Sequence, residues 1–180
     1  YIPPKTTGES IIKLILEHNN IESNVKDNIL TFIGTDSKVG TTMIATQVAK
    51  FLAYNTEKNI LLILLNDFYF PFYIDGVVKG TFTGLKPKIL NCLLTERDFY
   101  DSCIIKNNFY VLPGDIKILE NRHYLLEHVE YLLKTASDIF DYVVVDGGYC
   151  GVDGFSALSL QSIRMATYKY LVGTQSEKSR

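Results

Sequence analysis

The sequence predicts a three-layer α/β fold, with a doubly wound, mainly parallel sheet covered by helices on both faces. Three observations lead there. Short apolar runs rich in Val, Ile and Leu recur along the chain, as strands buried on both faces do. Segments with apolar residues at helical spacing separate these runs. Residues 29–52, "ILTFIGTDSKVGTTMIATQVAKFL", join a strand to an amphipathic helix through a glycine-bounded loop, the layout of a phosphate-binding loop.

The elements follow in order. After "YIPPKTTG", a linker by its prolines and glycine, Ile11, Ile12, Ile15 and Leu16 recur at helical spacing behind a Ser10 cap. Residues 1–27 are thus expected to be a linker and a helix, and residues 28–180 the main domain. "NNIESNVKDN" reads as loop, and residues 29–33 as the first core strand, ending at Gly34. From Thr42 onward Ile44, Ala45, Val48, Ala49 and Leu52 mark one face of a helix that "YNTEKN" closes. The all-aliphatic "ILLILL" is the second strand. Beyond it, "DFYFPFYIDG" places five aromatics around Pro71 beside the end of a strand, where open α/β sheets hold ligands; packing under a loop is the simpler reading. A helix over residues 86–94 precedes a third strand, "NFYVLPG". Leu125, Leu126, Val129, Leu132, Leu133 and Ala136 then stripe a long helix whose wet side carries Glu127, Glu130 and Lys134. "DYVVVDGG" is the fourth strand, residues 158–165 a helix, and "YKYLVGTQ" a fifth strand.

Composition narrows the function. The chain's 180 residues are 47% hydrophobic and 21% charged, enough apolar material for one sizeable core and too much for disorder. Lys and Arg number 18 against 20 Asp and Glu, so no overall basic footprint supports nucleic-acid binding. Cys92, Cys103 and Cys150 lack metal-ligand spacing and read as reduced, buried thiols of a cytosolic protein. The longest apolar run, residues 60–65, is far too short to span a bilayer, and no transmembrane segment is expected. Because the chain opens on Tyr1 and stops just past a strand, it is expected to be part of a longer protein lacking the last strands of its complete fold.

The chemistry centres on the loop. Backbone N–H groups at a helix N-terminus bind anions whatever the side chains, so Gly40, Thr41 and Thr42 suit a phosphate. Thr42 stands where a hydroxyl meets Mg²⁺, and Asp146, ending a hydrophobic strand, where a carboxylate holds that metal or its water. A P-loop also needs a lysine between its last glycine and that hydroxyl. Here the slot is Thr41. His18, His123 and His128 fall away from the loop and read as surface helix residues.

In these motifs, over residues 29–175, the chain resembles the ParA/MinD superfamily of deviant Walker A P-loop ATPases, whose loop reads KGGxGK(S/T). On that pattern Gly34 ends the strand before the loop. Asp36 takes the place of the signature lysine, Ser37 and Lys38 of the two glycines, Val39 of the variable position, Gly40 of the last glycine and Thr41 of the general P-loop lysine. In "NILLILLND", Leu64 and Asn66 replace the aspartates of the family's Asp-x-Asp, with Asp67 one place beyond, which removes the usual water-positioning carboxylate. "DIFDYVVVDGG" matches the family's "yDyVivDtpp" and supports Asp146, although Gly147 and Gly148 replace Thr/Ser and Pro. The GTT ending of the loop resembles the CpaE/TadZ pilus-assembly branch, whose members often carry a receiver-like domain ahead of an atypical ATPase domain; the first 18 residues resemble a linker helix leaving such a receiver.

The resemblance implies a nucleotide-binding fold with ATP and Mg²⁺ as ligands. The residues imply that binding is weak or absent. At an effective dielectric near 20, a unit charge about 5 Å from a phosphate charge is worth about 3 kcal/mol, and Thr41 supplies none. Asp36 would repel the phosphates by a similar order, and hydrolysis depends more than binding on positioned positive charge. Lys38 is the one nearby candidate for rescue. The leading expectation is therefore a degenerate P-loop protein, homodimeric and cytoplasmic, peripheral at the membrane or cell pole through protein partners of a pilus, secretion or cell-surface machine. An active partitioning or division-site switch is the alternative, with Lys38 or a residue elsewhere restoring the charge. A small-molecule kinase or ligase, with residues 68–73 holding substrate, is the second.

Overall fold

The computed structural model describes residues 27–65, 82–106, 108–114, 124–149 and 157–174. Within them lie six strands and five helices: β1 (Ile29–Gly34), α1 (Thr41–Asn55), β2 (Ile60–Leu64), α2 (Phe82–Leu90), α3 (Glu96–Ser102), β3 (Ile104–Lys106), β4 (Phe109–Leu112), α4 (Leu126–Ile139), β5 (Tyr142–Tyr149), α5 (Ala157–Met165) and β6 (Tyr168–Val172). One sheet contains every strand, in the order β3-β4-β2-β5-β1-β6. All neighbours are parallel except the β3–β4 pair. The predicted α/β class, its mainly parallel sheet and its alternation of strands and helices are therefore present.

Strand alternation separates two apolar layers. Ile60, Leu62 and Leu64 of β2 join Leu30, Phe32, Val111 and Val144 on one face, where α1 supplies Ala45, Val48, Ala49, Leu52 and Ala53. Leu61, Ile63, Val143 and Val145 point to the other face, which α2, α3, α4 and α5 cover through Leu85, Phe99, Leu132 and Leu158 among others. Buried polar side chains tie the lower end of the sheet to α4: the Asn28 amide donates to the carbonyls of Ser137 (3.0 Å) and Phe140 (2.9 Å), and the Ser137 hydroxyl donates back to Asn28 Oδ1.

Three elements depart from the sequence expectation. The helix placed at residues 86–94 lies four residues earlier, because Phe82, Leu85 and Ile89 form the buried stripe and Pro87 is carried inside it. Helix α3 was not anticipated; its seven residues bury a single large side chain, Phe99, too few for a periodic signal. Strand β3 was missed too: three residues folded back antiparallel on β4 through a tight connection that includes Asn108, at φ 67°. Among the cysteines, Cys103 is buried as expected and its thiol is pushed up to about 12 by desolvation, but Cys92 is exposed. Cys150, His18, His123, the N-terminal helix and the aromatic run at residues 68–73 lie outside the described residues.

Candidate functional site

The loop leaves β1 between its two sheet neighbours, β5 and β6. This is a switch point: α1 leads from β1 to β2 across one face, whereas α5 leads into β6 from the other. The Thr35 N–H donates to the Val172 carbonyl at 2.8 Å and so ties the start of the loop to the end of β6. Asp36 follows half-buried, its Oδ1 accepting from the Ser37 N–H at 2.6 Å. Ser37 and Lys38 are exposed, and Lys38 takes φ 64°, an unusual conformation for a residue with a Cβ. Gly40, at φ 94° and ψ 17°, caps α1 with no side-chain acceptor, so the first turn presents its amides toward the loop. The first intrahelical bond runs from the Ile44 N–H to the Gly40 carbonyl at 3.0 Å.

Gly34 explains how the loop closes on itself. A Cβ there would stand 2.5 Å from Thr41 Oγ1, 3.0 Å from the Asp36 carbonyl oxygen and 3.0 Å from Val39 Cγ2. Thr41 is only 7% exposed, so its hydroxyl lies inside the turn rather than reaching outward. Thr42, next along, is half-buried, and its carbonyl accepts from the Thr46 hydroxyl at 2.7 Å.

Asp146 lies on the neighbouring strand. Its Cα pairs with Phe32 on one side and Leu64 on the other, and its side chain shares the α1 face with Val144 two residues earlier. The residue is fully buried; Oδ1 accepts from the Gly148 N–H at 3.1 Å and the carbonyl accepts from the Leu65 N–H at 2.9 Å. The structure thus gathers Gly34, Asp36, Ser37, Lys38, Val39, Gly40, Thr41 and Thr42 into one loop and sets Asp146 on the adjacent strand at the same end of the sheet. Leu64 is a core residue, 1% exposed, while Asn66 and Asp67 lie outside the described residues. Among the described residues no group of three or more His, Cys, Asp or Glu side chains could hold a metal by itself. A Mg²⁺ ion would depend on Thr42, Asp146 and phosphate oxygens together.

Thr35, which the sequence did not single out, and Gly147, read there only as a departure from the family's Thr/Ser, shape this end of the sheet. The Thr35 hydroxyl is buried without a hydrogen-bond partner among the described residues, 3.3 Å from where a Cβ on Gly173 would stand. Gly147 has no room for a side chain: a Cβ would meet Ile33 Cδ1 at 2.3 Å, and its carbonyl accepts from the Ser159 hydroxyl at 2.7 Å. That contact gives a packing reason for glycine after Asp146; the Gly-Gly pair in "VVVDGG" was the available signal.

No protein-family model matches the sequence, and no curated protein matches it either. Solved structures do. A ParA family ATPase from Chlorobium tepidum superposes with a TM-score of 0.72 at 16% identity, over 85% of this chain and 62% of its own. The chain has the fold of the ParA-family ATPases. The kinase domain of the Escherichia coli tyrosine kinase ETK follows the same fold at TM-score 0.63 and 18% identity, over 96% of this chain and 66% of its own. Cobyrinic acid a,c-diamide synthase from Mycobacterium smegmatis, solved with ADP and magnesium, gives 0.59 at 16% identity, over 81% of this chain and 58% of its own. This chain therefore spans about three fifths to two thirds of the length of these three solved chains, and the likeness is one of fold.

Proposed function

We propose that this chain is a ParA/MinD-like domain with a degenerate P-loop, which binds Mg·ATP weakly or not at all and hydrolyses it little. Its work is then done through protein contacts. In the manner of the CpaE/TadZ branch, a homodimer would help to position or assemble a pilus, secretion or cell-surface machine from the cytoplasmic side.

The observation carrying this reading is Thr41, which stands in the lysine slot with its hydroxyl folded over Gly34. In shape the loop suits phosphate, through backbone amides and the dipole of α1. In charge it does not. Its one cation from Gly34 to Thr42 is the exposed Lys38, while Asp36 adds a half-buried carboxylate. Thr42 and Asp146 retain the hydroxyl and carboxylate that a magnesium ion bridging phosphates would use, so the metal site fits better than the triphosphate it would serve. ADP and magnesium in the cobyrinic acid a,c-diamide synthase structure support the choice of ligand to test.

Isothermal titration calorimetry with Mg·ATP tests the reading. The expected result for the unmodified chain is a Kd above about 1 mM, or −4 kcal/mol or weaker, with no phosphate release. Thr41→Lys should tighten binding by about 10- to 100-fold, the worth of one unit charge near 5 Å less the residual repulsion of Asp36. Micromolar affinity with turnover in the unmodified chain would overturn the proposal in favour of an ATP-driven switch.

A second reading, a kinase-type domain, is favoured by one difference. The tyrosine kinase domain aligns over 96% of this chain and the ParA family ATPase over 85%. Transfer of label from γ-labelled ATP to a tyrosine of the chain would support it; the same lost charge argues against efficient transfer.

A further inference from the structure

Near its C-terminal end β5 carries an extra residue. Phe32 pairs with Asp146 and Gly34 with Tyr149, so two steps along β1 face three along β5, and the surplus falls at Gly147 and Gly148. This is a bulge, a device that re-aims groups beside functional sites. Gly148 takes φ 76°, and Gly147 has no volume for a Cβ beside Ile33, so the bulge needs glycine at both positions. The peptide bond between them is held at both ends. Its carbonyl accepts from the Ser159 hydroxyl of α5 at 2.7 Å, and its N–H donates to Asp146 Oδ1 at 3.1 Å. The C=O and N–H of a trans peptide point in opposite directions. This one unit therefore links α5, on one face of the sheet, to a carboxylate on the α1 face.

Helix α5 is itself firmly seated. The Ser162 carbonyl accepts from the Thr31 hydroxyl of β1 at 3.0 Å, Gln161 Nε2 donates to Glu130 Oε2 of α4 at 3.1 Å, and Leu158 and Ser159 are buried. We propose that Ser159 is a positioning residue for Asp146. Its hydroxyl fixes and polarises the Gly147–Gly148 peptide, and that peptide in turn holds the carboxylate at the end of β5. A donor on the carbonyl makes the N–H of the same peptide a stronger donor, so the two hydrogen bonds reinforce one another. The seat of α5 and the orientation of Asp146 are then one coupled arrangement. The proposal rests on the reading of Asp146 as the carboxylate of the magnesium site; its test uses neither metal nor nucleotide, so the strength of Mg·ATP binding does not decide it.

Amide NMR spectra of the full 180-residue chain test the coupling. Ser159→Ala should move the Gly148 amide proton upfield, as its bond to Asp146 loosens, and should speed exchange of that amide about tenfold more than exchange in residues 143–145. Ser137→Ala is the control. It removes another buried hydroxyl, bonded to Asn28 Oδ1 at the opposite end of the sheet, and should lower stability while leaving the Gly148 amide where it is. A double-mutant cycle of urea midpoints gives a second measurement: the effect of Ser159→Ala on the folding equilibrium should shrink about threefold or more once Asp146→Asn is present, whereas Ser137→Ala and Asp146→Asn should simply add. The proposal is overturned if Ser159→Ala moves the Gly148 amide proton no further than Ser137→Ala does. It is equally overturned if the losses at Ser159 and Asp146 are additive, since the hydroxyl would then only satisfy a buried carbonyl.

Discussion

Gly34 sits where the strand, the loop and the first turn of α1 come closest, and it has no spare volume. Gly34→Ala would drive a methyl group against Thr41 Oγ1, with backbone at Asp36 and a methyl of Val39 also at 3.0 Å, so relief through one flexible side chain is not available. The expected result is a loss of about 1–3 kcal/mol, the usual range for overpacking, measured as a lower urea midpoint at unchanged slope. Gly84 is the control. It lies inside α2, and nothing stands within 4 Å of a Cβ there, so Gly84→Ala should gain about 0.5–1 kcal/mol from helix propensity. Loop glycines at 34 and 40 were legible from spacing alone, as was Asp146 at a strand end. What spacing could not convey is direction. That Thr41 turns inward over Gly34, and that Thr35 buries its hydroxyl beside Gly173, follows from how β6 is drawn up against the loop through the bond from Thr35 to Val172.

At the scale of elements, α3 shows how a short helix is held where periodicity gives no warning. The Asp98 carboxylate accepts from the Thr95 N–H at 2.9 Å and from the Thr95 hydroxyl at 2.8 Å, while the Asp98 N–H donates to the Thr95 carbonyl at 3.1 Å. Lys88 of α2 closes on the other oxygen as an ion pair, joining two helices that are separate in sequence. The Lys88 hydrogen bond, helped by Thr95 and opposed by partial desolvation, holds Asp98 below its ordinary 3.8. A depressed carboxyl contributes stability above its unfolded pKa and loses it as pH falls through the folded one. Asp98→Asn should therefore cost about 1 kcal/mol at pH 7, as loss of a helix cap does, and the gap from the unmodified chain should close as pH drops below 3.8. Urea midpoints at pH 7 and pH 3 check this; a gap of equal size at both would mean that shape rather than charge holds α3. The "TERD" sequence carried this capping signal, and reading it would have found the helix. Strand β3 had no comparable signal, because three residues are too few to show alternation.

Across the whole molecule, the sequence revealed parallel strands but not their order, since each apolar run is equally suited to any interior position. Order comes from the crossovers: α1 passes from β1 over β5 to β2, leaving the place between them for the strand that brings Asp146 beside the loop. The buried carboxylate is thus a consequence of topology as much as of its own position in "VVVDGG". This arrangement also ranks the strands by stability. β5 is hydrogen-bonded to β1 on one side and β2 on the other, and Val143, Val144 and Val145 are fully buried between α1 and the helices opposite. Among the described residues β3 holds one neighbour through three residues, and Ile105 in its middle is 66% exposed. Amides bonded within a doubly flanked, doubly covered strand can exchange only when the whole fold opens, whereas an edge strand frays by itself. Exchange at residues 143–145 should consequently accelerate with urea at the full slope of global unfolding, while exchange at residues 104–106 should be faster and nearly insensitive to low urea. If the two groups instead exchanged at one rate with one slope, β3 would belong to the cooperative core, and the hairpin it forms with β4 would be part of what holds β2 and β5 in register.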